Sequence, residues 1–190
     1  MISAPLRVSV VTAPAVEPVT LETAKTHLRI DGTDDDAKVS SVIVSARQWV
    51  EQYLRRALIS QSLKLTRDIW AEEMFLPRPP LRSVTSITYV DGDGVSQTAS
   101  ASIYDVDTAS DPGRVLLGYE QEWPDIRAHQ NAIAITYMAG YGTARADVPE
   151  SIREAILLHA EAHYYRDPAE FDVLIMAARS LLAPYRAILL

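Results

Sequence analysis

Four aspartates crowd the stretch HLRIDGTDDDAKV, at residues 27 to 39: Asp31, Asp34, Asp35 and Asp36. Clustered carboxylates are typical calcium ligands, and a helix–loop–helix calcium loop needs glycine at its sixth position and glutamate at its twelfth. Counted from Asp31, those positions hold Asp36 and Val42. The spacing therefore favours the start of a helix, which Asp34 caps while Asp35 and Asp36 face its positive end.

A second candidate for metal chemistry is the pair His159 and His163 in HAEAH. Histidines four residues apart lie on one face of a helix and can bind zinc. Zinc metalloproteases place a glutamate directly after the first histidine, whereas Glu161 comes two residues after it and points away from the pair. We therefore expect both histidines to pack between helices, and we keep a metal-dependent hydrolase using them as the alternative function.

Other signatures of catalysis are missing from the sequence. It has no nucleophile elbow, phosphate-binding loop or dinucleotide fingerprint. The segment AGYG, at residues 139–142, follows a predicted strand but does not lead directly into a helix, so we interpret it as a loop. The absence of cysteine excludes disulfides, thiolate metal sites and cysteine nucleophiles. We predict that the chain is not an enzyme and has no catalytic, cofactor-binding or metal-binding residues.

The overall charge argues against a nucleic-acid-binding regulator. The 190 residues carry a net charge of −7, and a surface that grips phosphates needs clustered lysine and arginine. The most basic local run, residues 47–56, is balanced by Glu51. The chain also has no apolar window of about 18 residues and no convincing signal peptide. These features predict an acidic, soluble, cytoplasmic protein that does not enter a membrane.

Hydrophobic periodicity predicts helices at both ends of the chain. Thr20 should cap a short helix that Gly32 ends, after an extended lead-in of about twenty residues that Pro14 and Pro18 favour. A longer helix should start near Asp34. Its apolar stripe comprises Val39, Val42, Ile43, Ala46, Val50, Tyr53, Leu54 and Ala57. Two further helices are predicted after Pro149, separated by Asp167-Pro168, and the second ends near Pro184.

Strand signals fill the middle of the chain. Alternating patterns between residues 60 and 140 predict about six strands, and Asp91-Gly92-Asp93-Gly94 is a strong hairpin signal. Neither helical part is long enough to bury its own stripe. We therefore predict an α+β fold, in which residues 1–59 and 145–190 form one helical bundle and residues 60–144 form a small inserted antiparallel β domain.

Several segments together resemble one protein family. They are LETAKTHLRIDGTDDDAKVSSVIVSARQWVEQYLRRALISQ, LPRPPLRSVTSITYVDGDG, YDVD, WPDI, ITYMAGYG and VPESIREAILLHAEAHYYR. Their order and spacing are similar to those of the head–tail connector, or adaptor, proteins of long-tailed bacteriophages and gene transfer agents. The resemblance runs from about Thr20 to Arg166. Its most specific parts are LRID with the following aspartates, and AGYG with Val148-Pro149.

This resemblance implies a structural virion protein without cofactors, made in the bacterial cytoplasm and located in the neck of the particle. Family members form a ring, commonly of twelve subunits, between the portal and the tail. The ring would keep a channel open for DNA without sequence-specific binding, and a stopper or tail-terminator protein would dock on it. A net charge of −7 suits such a channel, because phosphates should not adhere to its wall.

The apolar C-terminus is the candidate partner interface. We predict that Tyr185, Ile188, Leu189 and Leu190 contact the portal, since a free apolar end has little purpose in a monomer. The alternative is that this tail folds back on the helical bundle.

Overall fold

The computed structural model describes residues 7–187, which fall into two compact units. The β unit contains residues 7–14 and 60–140, and the helical unit contains residues 15–59 and 141–187. All strand pairs within the two sheets are antiparallel. The α-helices and the strands thus lie in different units, and the predicted α+β class is confirmed.

The helical unit is built around one central helix. Its helices are Leu21–His27 (α1), Asp36–Leu54 (α2), Glu150–Tyr165 (α3) and Phe171–Leu182 (α4). Helix α3 packs against the other three. The shared core includes Val39, Ile43, Ala46, Val50 and Leu54 of α2, Ile152, Ala155, Ile156 and Ala160 of α3, and Ala178 and Leu182 of α4. Among residues 7–187, no helix is long and apolar enough to cross a membrane.

The starts of the first two helices differ in how they are capped. The Thr20 hydroxyl accepts a hydrogen bond from the Thr23 amide at 3.0 Å, so the predicted cap of α1 is confirmed. The predicted cap of α2 by Asp34 is wrong, because the N-cap residue is Asp35, and it makes no side-chain capping bond. Its backbone is not extended (φ −97°, ψ 4°), and its carboxylate instead accepts a 2.7 Å hydrogen bond from the Tyr164 hydroxyl. The backbone of Asp35 thus lacks the extended conformation typical of a capping residue, and its carboxylate makes a tertiary contact instead.

The β unit contains two sheets. The strands are Arg7–Thr12 (β1), Gln61–Arg67 (β2), Glu73–Phe75 (β3), Leu81–Val90 (β4), Ser96–Thr98 (β5), Tyr104–Asp107 (β6), Arg114–Leu117 (β7) and Ile133–Ala139 (β8). One sheet has the order β1-β2-β8-β4-β5 and the other the order β3-β7-β6. The inward residues of β8 alternate with half-buried ones, which is the period of a strand that covers a core.

Two details of the strands bear on the sequence predictions. The hairpin at residues 91–94 is confirmed: it joins β4 and β5, and the Asp91 carboxylate accepts hydrogen bonds from the amides of Asp93 and Val95. By contrast, residues 7–12 form an edge strand on β2 where an extended lead-in to the helices was predicted. Most of this strand is exposed, so it gains backbone pairing with β2 rather than burial.

Two tryptophans hold the long connection between β7 and β8 in place. Trp123 lies in this connection, and Trp70 lies between β2 and β3. The rings of Trp70 and Trp123 stack with centroids 4.4 Å apart. Each indole N–H donates to a backbone oxygen, Trp70 to Pro124 at 2.9 Å and Trp123 to Ala71 at 3.0 Å. A connection without regular structure is thereby held at a fixed position in the β unit.

Candidate functional site

The aspartate cluster divides into two pairs with different roles. Asp36 Oδ1 lies 2.5 Å from Lys25 Nζ, which ties the first turn of α2 to α1, and Asp35 accepts from Tyr164 as described above. Asp31 and Asp34 are exposed. Among residues 7–187, no three histidine or acidic side chains are grouped so that they could hold a metal ion. Asp35 and Asp36 therefore join the start of α2 to α3 and α1, respectively.

His159 and His163 are part of an aromatic stack inside the helical unit. His159, only 4% exposed, lies between Trp49 and His163, with ring centroids 4.3 Å from each. His163 meets Phe171 of α4 edge-on at 5.2 Å. The histidine rings are inclined by only 30°, so the in-plane lone pairs of their nitrogens do not converge on one point, as zinc ligation requires. The two residues pack helices together, and the hydrolase alternative is not supported.

Burial keeps these histidines neutral at physiological pH. Burial, with a smaller contribution from the neighbouring His163, lowers the pKa of His159 to about 4. Burial also lowers the pKa of His163, with a smaller contribution from the positive charge of Arg166. The Nδ1 atom of His159 is buried and has no hydrogen-bond partner in the part of the chain that the structure describes. Protonation would place a positive charge between aromatic rings, away from water.

The helical unit contains a buried ion-pair network that was not predicted from the sequence. Arg47 and Glu51 are not part of the apolar stripe predicted for α2, yet they are only 6% and 3% exposed. Arg47 donates to Glu51 at 2.8 Å and to Glu17 at 2.7 Å. The second oxygen of Glu51 accepts the Leu58 amide at 3.0 Å, just beyond the end of α2. The signal for this network was the four-residue spacing of Arg47 and Glu51, which brings opposite charges together on a helix.

The AGYG segment is a structural turn. The Tyr141 amide donates to the Leu58 carbonyl at 2.9 Å, and Gly142 forms an isolated bridge with Ile59. A Cβ atom on Gly142 would lie 1.9 Å from Oδ2 of Asp147, the oxygen that accepts the Ala144 amide. Only glycine therefore fits beside this carboxylate. Gly142 therefore lets the chain pass close to Asp147 in the turn that leads to α3. It does not form a phosphate-binding loop.

The start of the C-terminal tail lies against the end of α2. Tyr185 is half-buried against the helical core, and its carbonyl accepts a hydrogen bond from Arg56 Nε at 2.5 Å. The Ala187 amide donates to the Leu54 carbonyl at 2.9 Å. The other residues of the predicted interface, Ile188, Leu189 and Leu190, lie outside the described residues. The described part of the tail is thus anchored by two backbone-directed bonds.

Helix α4 carries an exposed apolar face that was not predicted from the sequence as a contact surface. Val173 is 64% exposed and Met176 is 68% exposed. Both lie on the side of the helix opposite the buried Ala178, which faces the core. The sequence does carry a signal for this face, because α4 has only two charged residues between Phe171 and Leu182. Large exposed apolar side chains that lie side by side indicate a contact surface.

Comparison with known proteins yields one family and several structures. The family model described as "Head completion protein" matches residues 17–173. No curated protein sequence matches the chain. One solved structure, "Neck of empty GTA particle computed with C6 symmetry", contains a chain that is 21% identical, with 97% of both chains covered and a TM-score of 0.80.

Two further structures have the same fold. The structure "Virion of native gene transfer agent (GTA) particle" contains a chain that is 23% identical, with 96% of both chains covered and a TM-score of 0.76. In the structure "Neck of native GTA particle computed with C12 symmetry", the matching chain is 24% identical, with 97% of both chains covered and a TM-score of 0.74. The similarity therefore extends over both units of the chain.

Proposed function

This chain belongs to the head completion protein family, and on that basis we propose that it is a structural protein of the virion neck, a head–tail connector between portal and tail. The match of the family model over residues 17–173 carries the proposal, because it includes helices α1 to α3 and strands β2 to β8. Its role is structural rather than catalytic. The buried charges and histidines described above hold helices together, which agrees with that role.

The proposal includes assembly into a ring. The similar chains come from necks reconstructed with sixfold and twelvefold symmetry, and we propose a ring of twelve subunits for this protein. The portal would lie on one side of the ring, and a stopper or tail-terminator protein on the other. The net charge of −7 supports a channel through which DNA slides without sequence-specific binding.

We further propose that the two units act as separate domains of each subunit. The helical bundle would comprise residues 1–59 and 145–190, and the inserted β domain residues 60–144. Strand β1, residues 7–12, is the exception because it pairs with the sheet. An insertion of this kind would let one domain build the ring while the other meets a neighbouring neck protein.

Disrupting the gene in cells that produce the particle tests the function. We expect DNA-filled heads without attached tails, and restored tail attachment when the chain is supplied in trans. Cryo-electron microscopy of the complemented particles should show the chain as a ring in the neck, with a lumen that is not lined mainly by arginine and lysine. Normal numbers of tailed particles without the chain would contradict the proposal.

The tail interface can be tested without disturbing the anchored residues. We propose that Tyr185 and residues 188–190 contact the portal. Deleting residues 188–190 leaves the bonds of Arg56 to Tyr185 and of Ala187 to Leu54 in place. We therefore expect the deletion to weaken co-purification with the portal while the melting temperature stays unchanged. A matched control replaces these residues by three serines, which keeps the length and removes the apolar side chains. Undiminished portal binding by both variants would reject this interface.

A further inference from the structure

The outer face of α4, defined as Val173, Met176, Ala177 and Ser180, has no partner within the described part of the subunit. All four residues are exposed. Because successive helical residues are about 100° apart, the four lie within one side of the helix. The opposite side, with Phe171, Ala178 and Leu182, packs into the helical unit. Helix α4 is therefore apolar on two opposite sides.

A helix with this distribution is normally buried on both sides. Its only charged residues, Asp172 and Arg179, occupy a narrow strip beside the outer face. A solvent-exposed helix of this length would instead carry charged residues across its outer side. The outer face of α4 thus has the composition of a surface that another molecule covers.

Helix α2 carries a second face that no other element of the described chain covers. The outer face of α2, defined as Ser41, Val44, Ser45, Gln48 and Gln52, is exposed or half-exposed and contains no charged residue. A contact with it would bury no charge, so the desolvation cost would be small. Its short serine side chains allow another helix to approach closely.

The positions of these two faces fit a closed ring. Helix α3 packs against both α2 and α4, and the outer faces of α2 and α4 lie on the sides of these helices opposite their buried residues. A cyclic ring requires a heterologous contact, in which two different surfaces of each subunit meet. A single self-complementary patch would instead give an isolated dimer. Within residues 7–187, the outer faces of α4 and α2 are two different helix faces, one apolar and one uncharged, that could form that contact.

We propose that the outer face of α4 of one copy packs against the outer face of α2 of the next copy. This inference rests on the proposed ring, and it names the surface that joins its subunits. The apolar side chains of Val173 and Met176 would lose their contact with water between the small residues of α2. The occupant of this face is a second copy of the chain rather than the portal or a tail protein.

Photo-cross-linking in assembled particles tests the contact directly. With p-benzoyl-phenylalanine in place of Met176, irradiation should give a covalent dimer of this chain. Tryptic digestion should place the cross-link within residues 39–47 or 48–55, which carry the outer face of α2. A cross-link to another neck protein, to another part of the chain, or to nothing would overturn the inference. Presence of the chain in the particle neck, measured by immunoblotting, reports separately on the proposed function.

Matched substitutions provide the second measurement. Met176→Asp should lower the number of copies per particle at least tenfold, whereas Met176→Leu should retain wild-type assembly. Both purified variants should keep the wild-type melting temperature, because the side chain is 68% exposed in the subunit. Equal assembly by the Asp and Leu variants would overturn the inference while leaving the proposed function intact.

Discussion

Replacing Glu51 by alanine is expected to lower the free energy of unfolding by about 3–5 kcal/mol. The carboxylate is only 3% exposed and binds both Arg47 and the Leu58 amide. Its removal leaves the buried Arg47 guanidinium with less compensation and takes the acceptor from a buried backbone N–H. Both losses carry desolvation penalties that the hydrophobic core cannot offset. Urea denaturation at pH 7, followed by circular dichroism, measures the change.

Three comparison variants separate the ion pair from the backbone contact. Gln52→Ala, at the adjacent exposed position, should change stability by no more than about 0.5 kcal/mol. Glu51→Gln keeps an acceptor for Leu58 but removes the charge, so we expect an intermediate loss. The double variant Arg47→Met with Glu51→Leu removes both charges, and it should be more stable than Glu51→Ala. A Glu51→Ala loss below about 1 kcal/mol would show that the network contributes little.

The burial of this ion-pair network could not be predicted from the sequence, although the apolar side of the same helix could. The apolar stripe of α2 was predictable because Val39, Ile43, Ala46, Val50 and Leu54 follow the helical period, and all five are buried. The same reasoning left Arg47 and Glu51 out of the stripe, and charged residues are rarely buried unless they are paired. Glu17, the second partner of Arg47, lies thirty positions away from it in the chain. A contact between residues so far apart depends on the tertiary fold. The hydrophobic periodicity of a single helix therefore cannot predict it.

For the candidate functional residues too, some features could be predicted from the sequence and others could not. The sequence correctly predicted that His159 and His163 pack between helices, since their spacing did not fit a zinc protease. It predicted α4 as a helix but not the role of Val173 and Met176, because periodicity cannot tell which apolar side faces the subunit and which faces a partner. The tail prediction for Tyr185 stays a prediction. Interfaces between chains depend on a second molecule, and the sequence of one subunit specifies them only indirectly.

Lowering the pH from 7 to 5 is expected to cost about 1–2 kcal/mol of stability through His159 alone. Its pKa falls from the ordinary 6.5 to about 4 in the folded protein, mainly through burial. The unfolded chain therefore binds a proton more readily than the folded one, so stability rises with pH. The contribution is complete above about pH 6.5 and is lost as the pH falls from 6.5 through about 4. The lowered pKa of His163 acts in the same direction.

Titration of the remaining acidic and basic groups also changes with pH, so the test compares two proteins rather than two pH values. In the wild-type protein, the ring centroid of His159 lies 4.3 Å from that of Trp49 and 4.3 Å from that of His163. The variant His159→Phe keeps an aromatic ring at this position but cannot take up a proton. Urea denaturation at pH 7 and pH 5 should therefore show a smaller loss for the variant, by about 1–2 kcal/mol. The difference isolates His159 because every other titrating group is common to both proteins. Equal losses would mean that His159 is protonated in the folded helical unit near its ordinary pKa, so the stack would have to admit water or a counter-charge beside the imidazole.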